Sequence, residues 1–171
     1  DLRRASVMHA ETVIILADEA APGLSDSTID ARSVLIALAV ESLNRAVYTC
    51  AEVRQPENRR HFEHASVDEI VVTNEIVSDL LARTSVHHGV SRVIHELLTA
   101  DAGNEVYVLP CPPSLVGLAF DDALMRLQSR QQAILLGVAR GEEILLNPKG
   151  PLVLAQHDAL IAIAHNKIDM S

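Results

Sequence analysis

The sequence predicts an α/β protein in two lobes, a parallel sheet with covering helices followed by a smaller α+β lobe. Three observations carry this. Apolar, β-branched runs alternate with helix-period segments, strand then helix, three times over before residue 98. Past Asp101-Ala102-Gly103 the pattern changes to alternating strands around a single helix. Apolar residues make up 49% of the 171, enough to build a packed core and too many for a disordered chain. Only 2% are aromatic, so that core must be made of Leu, Ile, Val and Ala.

Taken in order, residues 1–7 read as the end of a helix. Residues 12–17 (TVIILA) form an uninterrupted apolar run, the signature of a parallel strand buried on both faces. Residues 18–28 are rich in Pro, Gly, Ser and Asp and read as a loop. Ser27 with Asp30 suggests a capping box opening a helix over 29–43. Residues 46–53 (AVYTCAEV) read as a second strand, and 56–64 as a short polar helix with Pro56 in its first turn. A third strand at 69–73 (EIVVT) leads to Asn74, an expected N-cap for a helix over 75–85. Gly89 marks a corner before a helix over 90–98. Parallel strands joined this way imply right-handed crossovers.

In the second lobe, 105–109 (EVYVL) alternates like a strand, and Cys111-Pro112-Pro113-Ser114 breaks it. Residues 115–127 are helix-like. Residues 133–139 and 143–146 read as a hairpin around Arg140-Gly141, where the glycine tolerates positive φ. Residues 152–154 and 159–164 add strand material, mostly antiparallel, and the lobe boundary falls near residue 103.

The charge balance narrows the function. With 23 acids against 14 bases the net charge is −9, which argues against a nucleic-acid partner and against docking on anionic lipid. Two cysteines, Cys50 and Cys111, make neither a disulfide framework nor a zinc site and fit a reducing cytosol. No apolar run approaches the ~18 residues that span a bilayer. The first residue is Asp1 rather than Met, as expected of a piece of a longer chain. Neither G-x-S-x-G nor a P-loop occurs, and Cys50 sits mid-strand as a small buried hydrophobe, so no enzyme is expected.

Several segments together resemble the RCK family, the regulator-of-potassium-conductance domains of ligand-gated potassium channels and TrkA-type transport subunits. In the second lobe they are 117–127, ILLGVARGEEILLNP (134–148), Pro151-Leu152 and the run from His157-Asp158 into ALIAI, which look like the RCK-C (TrkA-C) pattern. That pattern has Gly-Asp where this chain has His157-Asp158. In the first lobe DARSVLIALAVESL (30–43), CAEV (50–53) and VTNEIVSDLLA (72–82) look like the second half of the Rossmann-like RCK-N subdomain, closest to the Castor/Pollux-like branch. The resemblance implies three parts: 1–86 as the second half of RCK-N, 74–102 as helix-turn-helix crossover, and 103–171 as RCK-C. No glycine-rich G-x-G-x-x-G turn occurs, so no nucleotide site is expected here. The strand at 12–17 would then lack its inner neighbour and become an exposed apolar edge.

Site residues follow from both readings. Ligands in open α/β sheets sit at the carboxyl ends of the strands. The acids there are Asp18, Glu19 and Glu52, and hard cations such as Ca²⁺ want several oxygens at one point. Some RCK channels bind Ca²⁺ through acids on the strand matching Glu52, which makes Glu52 and Asp18 the expected metal ligands. The family's other two acids fall at Arg54 and Leu16. An ordinary strand-end acid paired with Arg54 is the bland alternative for Glu52. His61 and His64 share a helix face, with His87-His88 nearby, but in so polar a stretch they read as solvated.

Ile76, Val77, Leu80 and Leu81 form one helical apolar stripe, and Val90, Val93, Ile94, Leu97 and Leu98 a second. They would be two core helices of a compact domain or, as the resemblance implies, the crossover that locks a homodimer or a higher even oligomer. The resemblance thus implies a cytoplasmic gating domain of a cation, foremost potassium, channel, working with a membrane pore elsewhere in the parent chain or complex. The rival expectations are a TrkA-type ligand-binding subunit of a potassium transporter and a truncated Rossmann enzyme.

Overall fold

Three short parallel strands build the first sheet: β1 (Thr12–Ile15), β2 (Tyr48–Val53) and β3 (Glu69–Val72), in the order β1-β2-β3. The computed structural model describes residues 2, 4–18, 23–99, 104–166 and 168. The chain packs as two contiguous units, Asp1–His87 and His88–Ser171.

In the first unit, helix α1 (Asp26–Leu43) and the short α2 (Arg59–His64) supply the crossovers that parallel pairing requires. Ile15, Ala51, Val53 and Val72 of the sheet pack with Ala37 of α1 and Phe62 of α2. Helix α1 is capped by Ser25, whose side chain accepts from Thr28 N, and it starts at Asp26. The expected box of Ser27 and Asp30 does not form, because Asp30 is turned into the protein and is 1% exposed. Residues 1 and 3 lie outside the described residues; of the rest of the expected helix end, residues 2 and 4–6 are not helical, and a single 3₁₀ turn, Val7–His9, precedes β1.

The expectation that 12–17 is buried on both faces fails because only one face is covered. Ile15 and Ala17 are buried, Ile15 against Ala37 of α1, while Ile14 and Leu16 on the opposite face are 66% and 69% exposed. Among the described residues β1 pairs with β2 alone and is an edge of the sheet. Helix α3 (Thr73–Val86) follows β3 directly. Asn74 is therefore inside the helix and not its cap.

The second unit opens with α4 (Val90–Leu98), entered through Gly89 at φ 96, a left-handed conformation that glycine adopts without strain. Strand β4 (Glu105–Pro110) leads to α5 (Phe120–Gln131), then β5 (Ile134–Arg140), β6 (Glu143–Leu146) and β7 (Ala159–Ala164). The strands pair antiparallel in the order β4-β7-β5-β6. Phe120, Ala123 and Leu127 of α5 close one face over Leu135, Val138, Leu160 and Ala162. The helix begins five residues later than the sequence predicts. Phe120 N bonds back to Leu152 O, and Ala119 bridges to Val153, so 115–119 is held extended or turned by the neighbouring segment. That bridge is the only strand pairing that residues 152–154 make among the described residues. The fold is the expected α/β arrangement of a parallel sheet followed by an antiparallel lobe.

Candidate ligand crevice and assembly helices

The carboxyl ends of β1 and β2 meet at Glu52. Its Oε2 accepts from Ala17 N at 3.0 Å, and its Oε1 from Thr73 Oγ1 at 3.2 Å. Arg54 Nε lies 3.5 Å from Oε1, and both side chains are 20% exposed. The pairing with Arg54 expected of an ordinary strand-end acid is therefore present, and the carboxylate also bonds to the chain on either side. Asp18, just past the end of β1, is half-exposed and lies 3.8 Å from Arg32 Nη1 on α1. Glu19 lies outside the described residues. No group of three or more His, Cys, Asp or Glu side chains that could hold a metal ion occurs among the described residues.

Asp30 anchors the turn that follows Glu52 and Arg54, a role different from the capping-box acid its spacing suggests. Its Oδ1 accepts from Arg54 N at 2.9 Å, and its Oδ2 from Gln55 N at 3.0 Å and Asn58 Nδ2 at 2.7 Å. A buried carboxylate with three donors is well satisfied. It holds the turn after β2 against α1. An acid three residues after a serine carries the same signature as a capping box, which is why it reads as one.

His61 and His64 are exposed on α2, as expected, and both line a groove of about 460 Å³ against Leu35 and Leu38 of α1. Burial, and less so Glu69, raises the Cys50 thiol above its ordinary range. That is the direction opposite to an activated nucleophile.

The two apolar stripes are bare. No residue of α3 is buried, and Ile76, Val77 and Leu81 are each more than half exposed, with Leu80 intermediate. No residue of α4 is buried either; Val93, Ile94 and Leu98 are exposed and Val90 and Leu97 intermediate. Neither helix is a core helix within its unit.

The family model for Castor and Pollux, described as part of a voltage-gated ion channel, matches residues 74–170, more than half of the chain. The chain belongs to the Castor and Pollux family. The resemblance carried by the apolar and turn patterns is thereby borne out. The Castor and Pollux match begins at Asn74, in the first turn of α3, so it takes in both bare helices and the whole antiparallel sheet. Relatives extend the similarity across the first unit. The calcium-gated potassium channel TvoK of Thermoplasma volcanium is 25% identical over 167 residues, 98% of this chain and 47% of its own length. The ion channel CASTOR of Lotus japonicus is 24% identical over 170 residues, 97% of this chain and 19% of its own length. The chain thus spans less than half of either relative. Among solved structures, the human SLO3 gating ring superposes with a TM-score of 0.76 over 97% of this chain and 34% of that one. At 15% identity this is a likeness of fold.

Proposed function

We propose that this chain is part of the cytoplasmic regulatory domain of a cation channel, foremost a potassium channel, and that it answers a bound ligand by changing how subunits pack. The observation that carries the reading is the bareness of α3 and α4 in a Castor and Pollux segment. Two stripes of Ile, Val and Leu facing water disfavour the lone chain, since each apolar side chain buried contributes about 1.5–3 kcal/mol. A second copy of the chain is the natural cover, giving a homodimer or a larger even assembly through Ile76, Val77, Leu80 and Leu81 together with Val90, Val93, Ile94, Leu97 and Leu98. The pore would lie elsewhere in the parent protein or complex; no described helix here is long and apolar enough to cross a membrane.

The ligand site is the crevice at the strand ends, with Asp18 and Glu52 as oxygen donors and Glu19 beside them in sequence. The relative TvoK is a calcium-gated channel, which favours Ca²⁺ as the first ligand to try. Glu52 would then exchange part of its bonding to Thr73, Ala17 and Arg54 for the cation. A ligand of this kind shifts subunit packing only by its differential affinity for the two arrangements. Calorimetry with Ca²⁺ tests the site. Binding that disappears in Glu52→Gln supports it, and no heat at millimolar Ca²⁺ removes it. Sedimentation equilibrium tests the assembly independently, and a monomer at high concentration removes that half of the proposal.

A further inference from the structure

Helix α3 starts without a cap of its own. Val72 precedes it, and no side chain there accepts from its first turn. The start is held from β2 instead. Thr73 Oγ1 lies 3.2 Å from Glu52 Oε1 and 3.5 Å from the Val53 carbonyl oxygen. Asn74 Nδ2 donates to Arg54 O at 2.9 Å. The other oxygen of Glu52 accepts from Ala17 N at 3.0 Å. One half-buried carboxylate therefore bridges the residue at the crevice mouth and the first residue of a helix whose remaining side chains are unburied.

From this arrangement, and resting on the crevice reading above, we infer that Glu52 and Thr73 form a two-position latch that sets the first turn of α3 according to what occupies the strand ends. The Thr73 hydroxyl has one proton to donate and two acceptors within reach on β2. With no cation at the carboxylate it donates to Glu52, and Ala17 and Thr73 are tied to the same group. A cation drawn to Glu52 competes for those lone pairs, and the hydroxyl turns to the Val53 carbonyl. The helix start then loses its link to the end of β1. Both positioning residues act on α3, which presents the apolar stripe, so occupancy at the crevice is converted into a change at the assembly surface with no long path between.

Amide hydrogen exchange on this chain tests the latch. In an α-helix the amides of Val77, Ser78 and Asp79 bond back to Thr73, Asn74 and Glu75, so their exchange reports the first turn. Thr73→Val keeps the side-chain shape and removes the donor; exchange at those amides should quicken about fivefold, the scale of one hydrogen bond. Amides of β4 to β7 should not change, and Thr73→Ser should restore the slow rate. Unchanged exchange in Thr73→Val, or no rescue by Thr73→Ser, overturns the latch.

A second arm adds Ca²⁺. Wild-type exchange at residues 77–79 should quicken, while Thr73→Val, already released, should not respond further. An equal response in Thr73→Val overturns the latch. If Ca²⁺ leaves the wild type unmoved and gives no heat, it is the cation reading of the crevice that fails, and the first arm alone decides the latch.

Discussion

Arg140 and Asp158 meet edge to edge: Nε is 2.7 Å from Oδ1 and Nη2 is 2.8 Å from Oδ2, with the acid buried and the base half-exposed. The same Oδ2 accepts from Ala155 N at 2.7 Å, and Arg140 Nη2 also reaches Val153 O at 3.0 Å. The pair joins the end of β5, the 153–158 loop and the residue before β7. It also explains why His157 can stand where the RCK-C pattern has glycine. The carboxylate closes the turn through Ala155 N, and His157 is not among the residues with positive φ.

The Arg140 hydrogen bond, and after it the Ala155 amide, hold the Asp158 carboxyl below its ordinary range against the opposing effect of burial. A carboxyl depressed in the folded state contributes stability above its unfolded value of about 3.9, and that stability is lost as pH falls through the folded value. The second unit should therefore hold a flat melting temperature near neutrality and lose it steeply below about pH 4. Asp158→Asn should melt lower at pH 7, by roughly 8 °C, with a shallower acid limb. An acid limb identical to wild type would show that the pair contributes nothing.

Asp30→Ala leaves the amides of Arg54 and Gln55 and the Asn58 side chain without their acceptor in a buried place. The expected cost is about 3 kcal/mol, read as a lower denaturant midpoint for the first unit. A loss under ~0.5 kcal/mol, the size of an ordinary surface change, would mean that water replaces the carboxylate freely.

Gly137 is required by close approach rather than by its dihedral angles. A Cβ there would collide with the Leu145 carbonyl and come within 2.9 Å of Leu146 Cα, both backbone atoms of β6. Gly137→Ala should push the hairpin apart and destabilise the second unit by about 2–3 kcal/mol. Gly141→Asn, at φ 61 in the open hairpin turn, should be tolerated.

Charging the α4 stripe should abolish self-association. Ile94→Glu with Leu97→Glu is expected to give a monomer by sedimentation equilibrium, with unchanged far-UV circular dichroism because no residue of α4 is buried in its own unit. An assembly of unchanged mass would remove α4 from the interface.

Most of the fold was legible because its signals are periodic. The three parallel strands and their helices stand out as β-branched runs between helix-period segments, and α4 begins and ends where its stripe does. What was illegible depends on neighbours distant in sequence. Ser25 and Ser27 are equally good caps until one knows that Asp30 is drawn inward by Arg54, Gln55 and Asn58. The late start of α5 is imposed by Leu152 and Val153. The apolar run at 12–17 looks the same whether one face of its strand is covered or both. At the candidate site, Glu52 could be placed from its position at a strand end. Thr73 could not, since a threonine ending a strand pattern carries no mark of the carboxylate it meets.

Among the described residues each sheet is drawn from one contiguous half of the chain: β3 ends at Val72, and the second sheet takes its first strand at Glu105. During synthesis β1, β2 and β3 are all made before any strand of the second sheet, so the halves do not compete for pairing. The slower step should be the second sheet, whose β4 must wait for β7, the last strand made, whereas in the first sheet each strand pairs with the next one in sequence. Heating should accordingly melt the protein in two steps rather than one.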